Sequence, residues 1–283
     1  MSITDTPNAP VSTSYAQAPA RTVTAGGVTY AYRELGPRGG IPVVFFVHGG
    51  GWMIGDKKEQ ALPLMNQMAL AGWVCVTANY RLSPAATWPE HLVDCKRALA
   101  WIREHVAEYG GDPSRVVVTG GSAGGHLAAL IALTPNQPEW QPGFEHVDTS
   151  VRGCVPFYGI YDFVNRSSTW RNPGLQGVLE QRILKCSLTN SPEVWDRASP
   201  VSHVSAEAPP FFVIHGDSDT LVPVPEAREF VKAMREKARE PLAYAELPGA
   251  QHAFEIFPSV RSLHTVNAVH RFLAWLESRW QRD

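Results

Sequence analysis

Apolar and polar positions alternate in two rhythms along the chain, and the change of rhythm divides it into strands and helices. Val43 to Val47 reads VVFFV, an unbroken apolar run of the kind that forms a strand covered on both faces of a parallel sheet. Similar runs at Trp73 to Ala78, Val116 to Thr119, Val151 to Tyr158, Phe211 to Ile214 and Leu242 to Leu247 predict further strands. Between them the apolar positions recur at helical spacing. Leu92, Cys95, Leu99, Ile102 and Val106 share one side of a predicted helix that Pro89 opens and that runs to about Tyr109. Gln60 to Ala71, the Ala/Leu-rich stretch after Ser122, Val224 to Lys237 and His264 to Trp280 carry the same pattern. Near-regular alternation of strand and helix predicts an α/β fold, a mainly parallel central sheet with helices on both faces. In such a sheet, sites form where the carboxyl ends of strands open into loops.

Some regions break the alternation. Residues up to about Ala20 are rich in Pro, Ser, Thr and Ala, which predicts a poorly ordered arm or one that orders by packing on the body. Thr22 to Thr24 and Val28 to Leu35 predict a hairpin turning at Gly26-Gly27. Thr134 to Ser150 is polar, proline-rich loop. Gly159 to Pro210 inserts short helical pieces such as Leu175 to Cys186, with Trp170, Leu179, Ile183, Leu184 and Trp195 among its apolar residues. A lid over a site and a surface excursion with its own small cluster both fit this insert. The domain reading is one body, residues 21–283, with a cap-like insert at about 160–208 and an arm, residues 1–20, that could join the cap.

The loops at strand ends carry the chemistry. Gly120-Gly121-Ser122-Ala123-Gly124 fits G-x-S-x-G between a predicted strand and a predicted helix, the setting of a nucleophile elbow. The rival dinucleotide fingerprint G-x-G-x-x-G would need glycine where Ser122 stands, which disfavours a nucleotide-dependent oxidoreductase. A serine hydroxyl needs a base within reach and an acid to orient that base; the chain order serine, acid, histidine selects Ser122, Asp219 and His252. Asp217 competes with Asp219, which is preferred because it lies farther into the loop. A metal site on the two aspartates lacks further ligands at suitable spacing. Of the ten histidines, His91, His105, His264 and His270 fall in predicted helices, and His126, one turn beyond Ser122, suits packing or capping. His48-Gly49-Gly50-Gly51 follows the first buried strand; the amides of Gly50, Gly51 and Ala123 are the expected oxyanion donors, with His48 holding the loop. Trp52 and Trp88 are candidates to line a substrate pocket.

Composition narrows the classes. With 283 residues, 44% apolar, the chain can bury a large core. A net charge of −2 gives no footprint for nucleic acid or an anionic membrane, and the mixed charges of Arg228 to Glu240 suit a solvated helix face. The four cysteines, Cys75, Cys95, Cys154 and Cys186, are widely spaced and suggest neither zinc nor a disulfide framework. The opening residues show no signal-peptide pattern and no apolar run suits a bilayer, so the expected setting is cytoplasmic, with self-association left open.

From Val43 onward the chain resembles the hormone-sensitive-lipase-like esterases of the α/β-hydrolase superfamily, through HGGGW at His48, GGSAGGHLA at Gly120, HGDSDTLVP at His215 and GAQHAF at Gly249. The resemblance implies a cofactor-free carboxylic ester hydrolase working through a serine acyl-enzyme, with Ser122, Asp219 and His252 as triad. It also implies that the N-terminal arm, and the insert as a further candidate, form a cap over the pocket. Departures are Gly121, where members often carry an acidic residue, and Ala253, where they often carry glycine; the acid loop looks more like that of polysaccharide-deacylating or feruloyl-type esterases. An amidase or arylformamidase would need the same machinery. A ligand-binding protein on an inactive hydrolase scaffold would be expected to have lost the base, and His252 is present.

Overall fold

The computed structural model describes residues 20–25, 28–33, 40–170 and 173–280. β1 (Ala20–Ala25) and β2 (Val28–Arg33) pair as an antiparallel hairpin with Ala25 opposite Val28. The turn expected at Gly26-Gly27, Leu35, and the arm up to residue 19 lie outside the described residues.

The central sheet has the strand order β4-β3-β5-β6-β7-β8 and every pairing in it is parallel. Its strands are β3 (Ile41–Val47), β4 (Val74–Ala78), β5 (Gly111–Gly121), β6 (Cys154–Phe157), β7 (Phe211–Gly216) and β8 (Leu242–Leu247). From β3 the chain first steps outward to β4, then crosses back to lay β5 on β3's other side. That reversal is a topological switch point, where loops leaving neighbouring strands part and leave a crevice. In register, Val47 lies opposite Gly120, Gly121 opposite Phe157, and Gly216 opposite Leu247, so the carboxyl ends of five strands meet along one rim.

Period-two alternation sorts the VVFFV run into two layers. Val43, Phe45 and Val47 point into a cluster shared with Leu92, Leu99 and Ile102 of α2 (Glu90–His105), the buried face of α3 (Ala123–Leu133), and Phe230 and Met234 of α6 (Pro225–Lys237). Val44 and Phe46 point to the opposite cluster, built on α1 (Leu62–Leu70) and α7 (Val260–Trp280). Every residue of α3 is buried, which its all-apolar circumference requires.

Element ends differ from the sequence pattern for local reasons. α2 gives way at Val106 to a 3-10 turn closed by Gly110 in the left-handed region (φ 82°). β6 stops at Phe157 because Tyr158 adopts φ 36°. α7 starts earlier than its apolar spacing indicates. Ser262 N–H donates to Ser259 Oγ at 3.0 Å and Ser259 N–H to Ser262 Oγ at 2.7 Å, a reciprocal cap.

The insert folds as α4 (Pro173–Val178), a π-helical turn over Leu179–Ile183, and α5 (Pro192–Arg197). Its Leu179, Ile183, Leu184 and Trp195 are buried in the same cluster as α2 and α3 rather than in one of their own. Its start is fastened by Glu226 of α6, whose carboxylate accepts from Tyr161 N–H (3.1 Å), Asp162 N–H (3.2 Å), the Thr169 hydroxyl and Trp170 Nε1–H (2.9 Å).

Candidate active site

Ser122 sits between β5 and α3 at φ 57°, ψ −120°, a conformation a residue with a side chain holds only under strain of about 1–3 kcal/mol. The surroundings impose it. Ser122 N–H donates to Phe157 O (3.0 Å), and His126 N–H returns to Ser122 O (3.0 Å). Side chains are excluded on either side: a Cβ on Gly120 would come within 2.6 Å of Val47 O, one on Gly125 within 2.7 Å of Phe157 O, and one on Gly121 within 2.8 Å of the Tyr158 hydroxyl. The last contact accounts for the departure noted at Gly121, since the tyrosine occupies the room a side chain would need.

The three remote residues meet. His252 Nε2 is 2.8 Å from Ser122 Oγ, and His252 Nδ1 is 2.7 Å from Asp219 Oδ2. With Nδ1–H donating to the carboxylate, Nε2 is left to accept the serine proton, the arrangement a general base needs. The Asp219 side chain is fully buried and that of His252 is 15% exposed, so the acid is shielded while the base faces the cleft. Burial alone would raise the pKa of Asp219. Hydrogen bonding from the His215 and His252 rings and from Val222 N–H outweighs burial and holds the carboxyl well below the usual range. Its other oxygen, Oδ1, accepts from Leu221 N–H (2.9 Å) and Val222 N–H (2.8 Å).

Asp217 has a different task. Its Oδ1 accepts from Gly249 N–H (2.7 Å), and Ser218 N–H donates to Ala250 O (3.1 Å), so the acid loop is laced to the histidine loop beside it. His215, buried beneath, lies 3.5 Å from Asp219 Oδ2 and donates from Nε2 to Val222 O at 2.8 Å. The sequence reading left His215 unassigned; its signal was the i,i+4 spacing to Asp219 at a strand end. Ala253 stands at φ 60°, a position that favours glycine, which gives the second departure a cost of about 1 kcal/mol.

The glycine run lies against the elbow: a Cβ on Gly49 would be 3.4 Å from Ser122 Cβ. Gly50 (φ 112°) and Gly51 (φ 59°) use conformations that favour glycine. Gly49 N–H is taken by Gln60 Oε1 at 2.7 Å. Gly50 and Gly51 N–H have no acceptor among the described residues, and Ala123 is the first residue of α3, whose leading amides have no partner within the helix. The run is braced from behind. Tyr80 stacks on His48 (centroids 4.3 Å apart) and its hydroxyl donates to His48 O at 3.0 Å, while Ser83 N–H donates to Trp52 O at 2.8 Å.

Trp52 and Trp88, expected as pocket walls, are built into the core around His126. Trp52 is 2% exposed and donates from Nε1 to His126 Nδ1 at 3.3 Å; Trp88 packs edge-on against His126 and Trp140. His126 donates from Nε2 to Ala198 O (2.7 Å), which ties α3 to the insert, and burial lowers its pKa to about 3. It is a neutral packing residue, as its place on the far side of the elbow leads one to expect. A cavity of about 450 Å³ between β7, β8 and α7, lined by Phe212, Ile214, Leu247 and Val260, contains none of the triad.

A strained serine at the switch point of a parallel sheet, bonded through a histidine on one neighbouring loop to a buried aspartate on another, defines an α/β-hydrolase. Residues 32–234 match the BD-FAE family, and the chain belongs to it. Among curated proteins it is 52% identical over 241 residues to the probable carboxylic ester hydrolase LipM of Mycobacterium tuberculosis, covering 85% of this chain and 56% of LipM. It is 46% identical over 246 residues to esterase LipQ of the same organism, covering 87% and 58%. The chain thus spans a little over half the length of the curated relatives it matches. The thermophilic esterase Est2 of Thermogutta terrifontis in its native form superposes with a TM-score of 0.72 at 26% identity, over 92% of each chain.

Proposed function

We propose that this chain is a serine carboxylic ester hydrolase that acts on small acyl esters through a covalent acyl-enzyme. The observation that carries the reading is the unbroken hydrogen-bonded line from Ser122 through His252 to Asp219. Ser122 Oγ attacks the ester carbonyl as its proton passes to His252 Nε2; the imidazolium that forms is stabilised by the Asp219 carboxylate. The carbonyl oxygen, now carrying the charge, accepts from the amides of Gly50, Gly51 and Ala123. His252 then protonates the departing alcohol oxygen, which leaves the acyl group on Ser122. Water enters, His252 takes its proton, the second tetrahedral species collapses, and Ser122 recovers its hydrogen as the acid departs. Side chains, amides and water supply every proton and charge, so the cycle calls for no cofactor.

Small acyl groups are supported by the Thermogutta terrifontis Est2 structure with propionate bound, 26% identical to this chain with a TM-score of 0.70. The insert and the N-terminal arm are the segments we assign as cap. Among the described residues no helix is long and apolar enough to cross a membrane, and the four cysteines are free thiols, which supports a reducing, cytoplasmic setting. Ser122→Ala tests the reading: hydrolysis of p-nitrophenyl butyrate is expected to fall by roughly 10⁴-fold or more. Unchanged turnover by a pure sample would sink it.

A further inference from the structure

Tyr158 packs against the ring of His252 and against Gly121, the residue before Ser122. It ends β6, is 2% exposed, and its N–H donates to Ile214 O at 2.8 Å. Its hydroxyl is jammed against the elbow, 2.8 Å from where a Cβ on Gly121 would stand. Its ring lies 4.6 Å from that of His252 at a tilt of 56°, with Phe254 edge-on at 5.6 Å. The hydroxyl donates to Oε1 of Glu255, three residues beyond His252 on the same loop. Residues 252 to 255 therefore wrap one tyrosine: imidazole against its face, Phe254 at its edge, a carboxyl at its hydroxyl.

Glu255 is 4% exposed, and its Oε2 is buried without a partner. No ion pair involves it among the described residues. A buried carboxylate with one side-chain donor is costly, and a carboxylic acid in that place costs less. Nothing in the hydrolytic cycle uses this group, yet it closes the clamp on the ring beside the base.

We propose that Tyr158 and Glu255 form a positioning couple, in which the neutral carboxyl fixes the tyrosine and the tyrosine holds the His252 ring in line with Ser122 Oγ. This rests on the hydrolase reading given above. Neither residue touches the reacting atoms; both act through the imidazole, which has to stay aligned through two proton transfers while the serine oxygen changes its bonding. Burial pushes Glu255 up to about 7 against the opposing hydrogen bonds from Tyr158 and its own backbone amide, so the neutral form persists well above the usual carboxyl range. The titratable groups facing the couple are His252 across the ring and Asp219, whose charge is felt at the tyrosine hydroxyl. α1, which packs in the same apolar layer as Tyr158 and Phe254, has no ionisable side chain.

Steady-state hydrolysis of p-nitrophenyl butyrate and the rate of fluorophosphonate labelling test the couple in variants that keep wild-type near-ultraviolet circular dichroism. Tyr158→Phe and Glu255→Leu are each expected to lower kcat by about tenfold to a hundredfold with KM nearly unchanged, and to slow labelling in parallel. Glu255→Gln, which keeps a neutral acceptor for the tyrosine, is expected to stay within about threefold of wild type, and the double variant Tyr158→Phe with Glu255→Leu to be no slower than either single change. Tyr158→Phe and Glu255→Leu as fast as wild type, Glu255→Gln as slow as Glu255→Leu, or losses that multiply in the double variant would overturn the couple. A wild-type chain that neither turns over ester nor takes the label overturns the hydrolase reading itself, and the couple with it.

Discussion

Two buried carboxyls flank His252, and their surroundings are opposite. Asp219, on the acid-loop side, receives two backbone amides and the His252 ring, with His215 close by, and stays charged in a fully covered position. Glu255, on the β6 side, has one side-chain donor and an orphaned oxygen, and burial lifts it to about 7. Glu255 is the more deeply buried and has fewer donors, and the balance of burial against donors decides in which direction each acid is pushed from its usual range.

The comparison breaks first at Asp219. Asp219→Asn keeps shape and removes the charge that fixes the histidine tautomer, so kcat is expected to drop about 10⁴-fold. Asp217→Asn, whose oxygen can still accept from Gly249, is expected to cost less than about threefold under the same assay. Equal losses would show that the acid had been misassigned.

A third buried carboxyl sharpens the contrast on the stability side. Glu226 resembles Asp219 in its donor count but holds the insert instead of the base. Glu226→Ala strands two backbone amides and the Trp170 indole, with an expected loss of about 3 kcal/mol, or roughly 6–12 °C in melting temperature. An unchanged melting temperature would mean that the insert is anchored elsewhere.

The last effect is on pH. The folded state binds the Glu255 proton more tightly than the unfolded chain, whose carboxyl titrates near 4.5. Its contribution is therefore fully present below that pH and is lost as pH rises through about 7, by up to about 3 kcal/mol. Asp219 acts in the opposite sense: its folded pKa is depressed from 3.8, so its contribution is present above that value and lost as pH falls. Denaturant midpoints measured from pH 5 to 8 should decline in wild type and flatten in Glu255→Gln. Parallel curves would show that Glu255 is ionised throughout.

Much of this was legible in the sequence. The β3 run, the helix around Leu92 to Val106, the elbow and the acid and histidine loops stand out because each imposes a local pattern: an apolar run, a 3.6 period, glycines where no Cβ fits. Geometry also separates Asp219 from Asp217, which spacing could only rank. The insert was read less well. Leu179, Ile183 and Trp195 have no period that tells a separate cluster from the main core, since what they pack on lies far back along the chain in α2 and α3. The same limit hid Tyr158 and Glu255, 97 residues apart, as well as His215. Their meaning lies in partners supplied by other loops.

The central claim is that Ser122 is a nucleophile activated by His252. Intact-mass and peptide mass spectrometry after fluorophosphonate treatment measures the claim directly. The account predicts one adduct, on Ser122, abolished in Ser122→Ala and slowed at least about a hundredfold in His252→Ala. An adduct on another residue, or labelling of Ser122 at an unchanged rate without the imidazole, would contradict it.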